Sequence, residues 1–181
     1  MASFSERIIS AAKLDPATYE EVEKDPSALG QAMAVVALSA VAAGIGAAGT
    51  GARGIAATVF ASFVAWFIWA GVTFLVGTKL MPDPQTRSDF GELLRTIGFS
   101  AAPGLARVAG IIPFIGWLIS LGASVWMLVA MVIAVRQALD YTSTGKAVAV
   151  CVVGFVFYLA AVFGLTMMMG LFGMAVGALR G

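Results

Sequence analysis

The stretch Ala147 to Val176, AVAVCVVGFVFYLAAVFGLTMMMGLFGMAV, runs for thirty residues without a charged side chain. About 20 apolar residues suffice for a helix to cross a hydrocarbon core of about 30 Å, so this run reads as a membrane span with length to spare. The surplus predicts tilt, a break near Gly170, or a protruding end. Inside lipid every peptide group has to be bonded within the protein, and a helix does this along its own axis. The chain is therefore expected to be an all-α, polytopic transmembrane helix bundle.

Working back from that run, a polar loop from Arg136 to Lys146 separates it from a second apolar stretch at 114–136, with Trp117 and Trp126 as interface anchors. Pro113 and Gly116 form the corner before it. Segment 90–112 is the ambiguous one. Phe90, Leu93, Leu94 and Ile97 recur at i, i+3, i+4 and i+7, an amphipathic approach. The part from Ile97 to Ile112 reaches only about 24 Å at an α-helical rise, and it contains Pro103 and Arg107. Either it crosses with help from residues 90–96, or it is kinked or re-entrant. Apolar stretches at 28–48 and 55–80 bring the expectation to five membrane helices over 28–181, behind a cytosolic or interfacial segment 1–27.

Local punctuation supports these boundaries. Asp15–Pro16 and Asp25–Pro26 each combine a capping carboxylate with a proline suited to a first helical turn. Gly49, Gly51 and Gly54 around Arg53 are read as a turn, and Thr86 with Asp89 as a capping box. Lys79 closes the second span with its ammonium free to snorkel. In segment 1–27, Phe4, Ile8 and Ala11 or Ala12 share one helical face, with Ser5, Glu6 and Arg7 turned elsewhere. That pattern fits a short amphipathic helix on the membrane surface or a frayed tail.

Composition agrees: 60% of the 181 residues are hydrophobic and 12% charged, far from the roughly 25% charged residues of a soluble domain. A net charge of +1 offers no electrostatic case for nucleic acid. There is no histidine and one cysteine, Cys151, so neither a zinc cluster nor an intramolecular disulfide is expected, and no cofactor. The first 27 residues lack the basic start and apolar core of a cleavable signal peptide, and position 2 is not the glycine that myristoylation needs. With five spans and the amino terminus inside, Arg7, Lys13, Lys24, Lys79, Arg87, Arg95, Arg136 and Lys146 collect on the inner side, against Arg53 and Arg180 outside. The cytoplasmic side normally holds the excess. A re-entrant third segment would instead place Arg53, Arg136 and Lys146 outside, a weaker asymmetry.

Gly44, Gly46 and Gly49 match a dinucleotide-binding spacing, but that motif has meaning only between a strand and a helix. At the end of a span, glycines such as Gly44 serve close helix packing, and Gly173 with Gly177 form a G-x-x-x-G suited to the same purpose. All ten carboxylates fall in expected loops or tails, so a catalytic base, dyad or metal set lacks its parts, and the chain is read as no enzyme. Ser62, Ser100, Ser120 and Ser124 are read as hydrogen-bonding within or between helices. Arg107 carries the sharpest hypothesis: a guanidinium at membrane depth costs roughly 2.5–3.5 kcal/mol and normally finds a partner or water. It either binds an anionic headgroup or ligand beside the break at Pro103, or snorkels to the near interface. Arg136 and Asp140 are spaced to pair at i, i+4, and Lys146 ends the same loop.

Within Asp89 to Lys146, the motifs DFGELLRTIGFSAAPGLARV, IIPFIGWL and VRQALDYTSTGKAV resemble the membrane domain of the Yip (Ypt-interacting protein) family, in its bacterial branch. The lead-in VEKDPSALGQA is similar as well. The resemblance implies a five-span protein with a cytosolic amino terminus. Gly98, Phe99, Ser100 and Pro103 stand where the family tends to carry Gly-Tyr and a proline, with Phe in place of Tyr. Eukaryotic relatives associate with Rab-type GTPases in vesicle trafficking. This sequence lacks their Asp-Leu-Tyr-Gly-Pro motif and has a shorter amino-terminal part, so a GTPase partner is not carried over. The expected role is a non-catalytic scaffold or interaction protein of a bacterial inner membrane, working among lipids and other membrane proteins as a homo-oligomer or as an accessory subunit. The competing expectation is a transporter of small solutes or lipids built on a broken third helix.

Overall fold

Two short helices at the amino terminus begin at well-made caps. The structure, a computed structural model, describes residues 2–47 and 51–178. Helix α1 (Phe4–Ala12) starts at a reciprocal capping box: Glu6 N–H donates to Ser3 Oγ and Ser3 N–H donates to Glu6 Oε2. Leu14, at φ 65°, turns the chain into α2 (Pro16–Lys24), capped by Asp15 with Pro16 in its first turn. Asp25 then accepts from the Ser27 amide and hydroxyl ahead of α3 (Ala28–Gly46).

Among the described residues four helices are long and apolar enough to cross a membrane: Ala28–Gly46, Gly51–Leu80, Gly116–Ala138 and Thr144–Met168. They belong to α3, to α4 (Gly51–Leu75) with a π-helical turn at Val76–Leu80, to α6 (Gly116–Ala138) and to α7 (Thr144–Ala178). Helix α4 begins at Gly51, which takes a positive φ, so Arg53 and Gly54 belong to its first turn rather than to a loop. The π turn leaves carbonyls free, and the Tyr141 hydroxyl lies 2.7 Å from Met81 O and 3.1 Å from Gly77 O. Gly77 also admits the Leu139 side chain, since a methyl there would stand 2.3 Å from it.

The stretch 90–112 is not one helix. Helix α5 (Phe90–Phe99) is followed, after Ser100 and Ala101, by a ten-residue 3-10 helix, Ala102–Ile111. Its cap is Asp89 with Glu92, not Thr86, whose hydroxyl is engaged instead with Leu139 O and the Asp83 amide. Thr96 and Ser100 bond back to carbonyls three or four residues earlier, which competes with the α-helical ladder just where the helix type changes. The 3-10 form is longer than usual and rises about 2.0 Å per residue instead of about 1.5 Å. Ten α-helical and ten 3-10 residues therefore reach roughly 35 Å if laid end to end, against about 30 Å for the same twenty residues as an α-helix.

Close contacts give the direction of each segment. Along α3, Ala32 meets Gly98, Ser39 meets Gly104, and Gly46 meets the Arg107 carbonyl, so segment 90–111 runs parallel to α3. A methyl at Gly98 would stand 2.7 Å from Ala32 Cβ, and one at Gly46 would stand 2.0 Å from Arg107 O. Backbone contact this tight requires glycine. Helix α6 returns antiparallel, with Ser120 by Gly110, Met127 by Gly104 and Met131 by Ser100. Helix α4 runs opposite to α3, with Ile55 on Gly44, and α7 opposite to α4, with Tyr158 on Trp69 and Gly154 on Val72. Exposed apolar side chains such as Phe60, Leu121, Val152 and Phe163 cover the outer faces of α4, α6 and α7, as a lipid-facing surface requires.

Candidate functional site

At one end of the bundle, α1 and α2 are folded onto the helix ends rather than lying free. Arg7 is 2% exposed and donates to Glu21 (2.8 Å), Asp25 (2.8 Å) and Gln31 (3.0 Å). This corrects the expectation that Arg7 turns away from the apolar face: it is the buried hinge pin between α1, α2 and α3. Arg95, also buried, donates to Val22 O and Glu23 O in the last turn of α2, where a cation complements the helix dipole. Tyr19, buried, donates to Ala11 O and joins α1 to α2.

The inter-helix loops complete this end. Lys146 pairs with Asp83, donates to Pro82 O and sits 5.0 Å above the Tyr141 ring. Arg136 does not pair with Asp140. Helix α6 stops at Ala138 and Asp140 takes φ 52°, so the i, i+4 alignment is lost, and Arg136 donates to the Tyr141 and Thr142 carbonyls instead. Glu20, Gln85, Arg136, Gln137, Asp140 and Tyr141 surround an open polar recess of about 480 Å³. Burial, with the charges of Asp140, Glu92 and Glu20, pushes the Glu23 carboxyl up to about 7. Burial and the Asp83 charge push Tyr141 up to about 12.

A second cavity of about 480 Å³, open on one side, lies between α3, α4, the third segment, α6 and α7. Its walls are mostly apolar, with Val36, Ala40, Trp66, Trp69, Met127 and Met131 among them. Ser39, Thr58, Ser62, Ser100, Ser124, Tyr158 and Arg107 also line it. Arg107 does not run outward. Its backbone packs on Gly46 at the end of α3, while its Nη2 donates to Ser124 Oγ (3.1 Å), about two turns inside the start of α6. Ser124 donates its own proton to Ser120 O (2.8 Å), which leaves its lone pairs for the guanidinium. Among the described residues Arg107 has no carboxylate partner. Every carboxylate of the chain lies at or before Asp25, between Asp83 and Glu92, or at Asp140, at the opposite end.

The residues singled out from sequence thus fall into separate places. Arg107 reaches the inner cavity. Pro103 is buried in the first turn of the 3-10 helix and does not line that cavity, so the pair expected to make one site is divided. Gly98 is a packing contact, Phe99 is a fully buried core residue, and Gly44 is in contact with Ile55. Arg136, Asp140 and Lys146 belong to the polar end. The packing of Gly173 and Gly177, together with Gly49 and Arg180, lies outside the described residues. Sequence reasoning missed Arg7 and Arg95. For Arg7 the available signal was a short amphipathic helix whose arginine is followed by acidic residues in the next helix and just after it, among them Glu21 and Asp25. A family model described as the Yip1 domain matches residues 14–178. No curated protein and no solved structure matches the chain.

Proposed function

We propose that this chain, which belongs to the Yip1 domain family by its match over residues 14–178, is a non-catalytic scaffold or accessory subunit that docks other membrane proteins. The observation that carries this reading is the polar end of the bundle. Two buried arginines, Arg7 and Arg95, fasten α1 and α2 there. They hold the helices beside a recess that presents Glu20, Gln85, Gln137 and Asp140. Such anchoring keeps a surface ordered before a partner arrives, which lowers the entropic cost of association.

The topology proposed with it is five crossings in a bacterial inner membrane, amino terminus in the cytoplasm and carboxyl terminus outside. It is supported by the alternating directions of the five segments, by the reach of the third, and by the gathering of Arg7, Lys24, Arg95, Arg136 and Lys146 at the α1–α2 end. Purification from native membranes in mild detergent tests the role: partner proteins are expected with the wild-type chain and in reduced amount with Arg95→Ala. A wild-type chain that always emerges alone refutes it.

A second reading, lipid or solute transport, is favoured by the inner cavity and the helix break beside it. Flux across proteoliposomes decides that reading, and an Arg107→Ala protein with wild-type flux removes Arg107 from it.

A further inference from the structure

We propose that the inner cavity is a binding site for one anionic phospholipid, which enters between α6 and α7 and places its phosphate on Arg107. The proposal concerns occupancy of the cavity and holds whether or not a solute is moved or a protein partner is bound.

Charge is the first argument. Arg107 is half-buried and turned toward α6, with one side-chain hydrogen bond among the described residues, to a neutral serine. A guanidinium carries five N–H donors, and a cation at membrane depth is stable only with a partner or water. All the carboxylates stand at the other end of the bundle, so no acidic side chain of this chain can neutralise it. Its counter-ion has to come from outside the protein.

The walls say which kind of anion. Ser62, which lines the cavity, has no side-chain hydrogen bond among the described residues and so has a donor to offer. The remaining lining is aliphatic, aromatic and thioether, a surface that rewards an acyl chain and gives a small hydrated anion nothing. A volume of about 480 Å³ suits part of one amphiphile and not a partner helix, whose diameter is about 10 Å. At the rim, Leu128 of α6 is 67% exposed and Phe155 of α7 is 52% exposed, so the cavity borders the face that lipid covers. Because the Arg107 backbone sits at the end of α3 and its guanidinium reaches Ser124, about two turns into α6, a phosphate meets it about 12 Å below the start of α6 without crossing the core.

The test uses the full chain in nanodiscs of phosphatidylcholine. Of the four tryptophans, Trp66 and Trp69 line the cavity. Trp117→Phe and Trp126→Phe therefore leave two reporters whose fluorescence a brominated acyl chain quenches on entry. Brominated phosphatidylglycerol is expected to quench at roughly ten-fold lower mole fraction than brominated phosphatidylcholine, the scale of one charge-assisted hydrogen-bonded pair. Arg107→Gln should erase that preference and Arg107→Lys should keep most of it. Ser62→Phe, which fills the cavity while leaving Arg107 in place, should block quenching by either lipid and serves if the glutamine variant does not reconstitute. Equal quenching by the two lipids with Arg107 present overturns the proposal. So does a preference that survives Arg107→Gln, or quenching untouched by Ser62→Phe. Loss of phosphatidylglycerol quenching on addition of millimolar inorganic phosphate would assign the site to a free anion instead, and overturns it as well.

Discussion

Replacing Arg7 with methionine should undock α1 from the bundle without dissolving the bundle itself. Methionine keeps most of the side-chain volume but removes three donors: those to Glu21 and Asp25 at 2.8 Å and to Gln31 at 3.0 Å. Removing one partner of a buried ion pair costs about 3–5 kcal/mol, but the stranded groups here can recover part of that. Glu21 is 38% exposed and rehydrates, while Asp25 retains the Ser27 amide and hydroxyl. Arg7 also buries an Nε without a partner, a cost that the variant relieves. The expected loss is therefore about 2–3 kcal/mol of docking free energy, or a roughly 30- to 150-fold rise in the open population. Hydrogen–deuterium exchange on the protein in detergent reads this directly: amides of α1 and the start of α2 should exchange faster by that factor, with α3 and α6 unchanged. Arg53→Met, at an exposed position of α4, should change nothing. Protection in α1 within about three-fold of wild type would show that Arg7 does not fasten the helix and would sink the reasoning.

Glu23 makes the docking of α2 pH-dependent. The docked carboxyl holds its proton to about 7 against an ordinary value of 4.5, so the docked state binds more protons between those values and its stability falls as pH rises through the window. Glu23→Gln should accordingly change little at pH 5 and gain about 1–2 kcal/mol at pH 8, seen as slower exchange in α2; a gain independent of pH contradicts the assignment. Gly46→Val drives a side chain into the Arg107 carbonyl and should cost about 1–3 kcal/mol, read as a lower unfolding midpoint in detergent. Tyr141→Phe removes the hydroxyl from the π turn carbonyls and should cost about 1 kcal/mol, with faster exchange confined to residues 77–81. In a Cys151→Ser background, a cysteine at Thr144 should label from the cytoplasmic face and one at Phe114 from the opposite face; labelling of Thr144→Cys from outside refutes five crossings.

Much of the architecture is legible in one dimension. The apolar runs read at 28–48, 55–80, 114–136 and 147–176 fall within a few residues of the long helices Ala28–Gly46, Gly51–Leu80, Gly116–Ala138 and Thr144–Met168, each about the length that a bilayer crossing needs or longer. The caps at Asp15 and Asp89 are local as well, since their partners lie within three residues. Other features depend on groups far apart in the chain. Arg95 finds its carbonyls more than seventy residues earlier, Arg107 finds Ser124 across a corner, and Arg136 abandons Asp140 because a left-handed residue ends the helix. The third segment shows the division most clearly. Its pattern announces an amphipathic start and a proline, but its 3-10 form and its path follow from glycine contacts with α3 and α6. Hydrophobic run length is a property of neighbours along the chain, so sequence alone determined that the protein belongs in a membrane and where its long helices lie. The direction of a buried arginine depends on which distant carbonyls, hydroxyls and glycines packing brings within about 3 Å, and only the tertiary structure decided that.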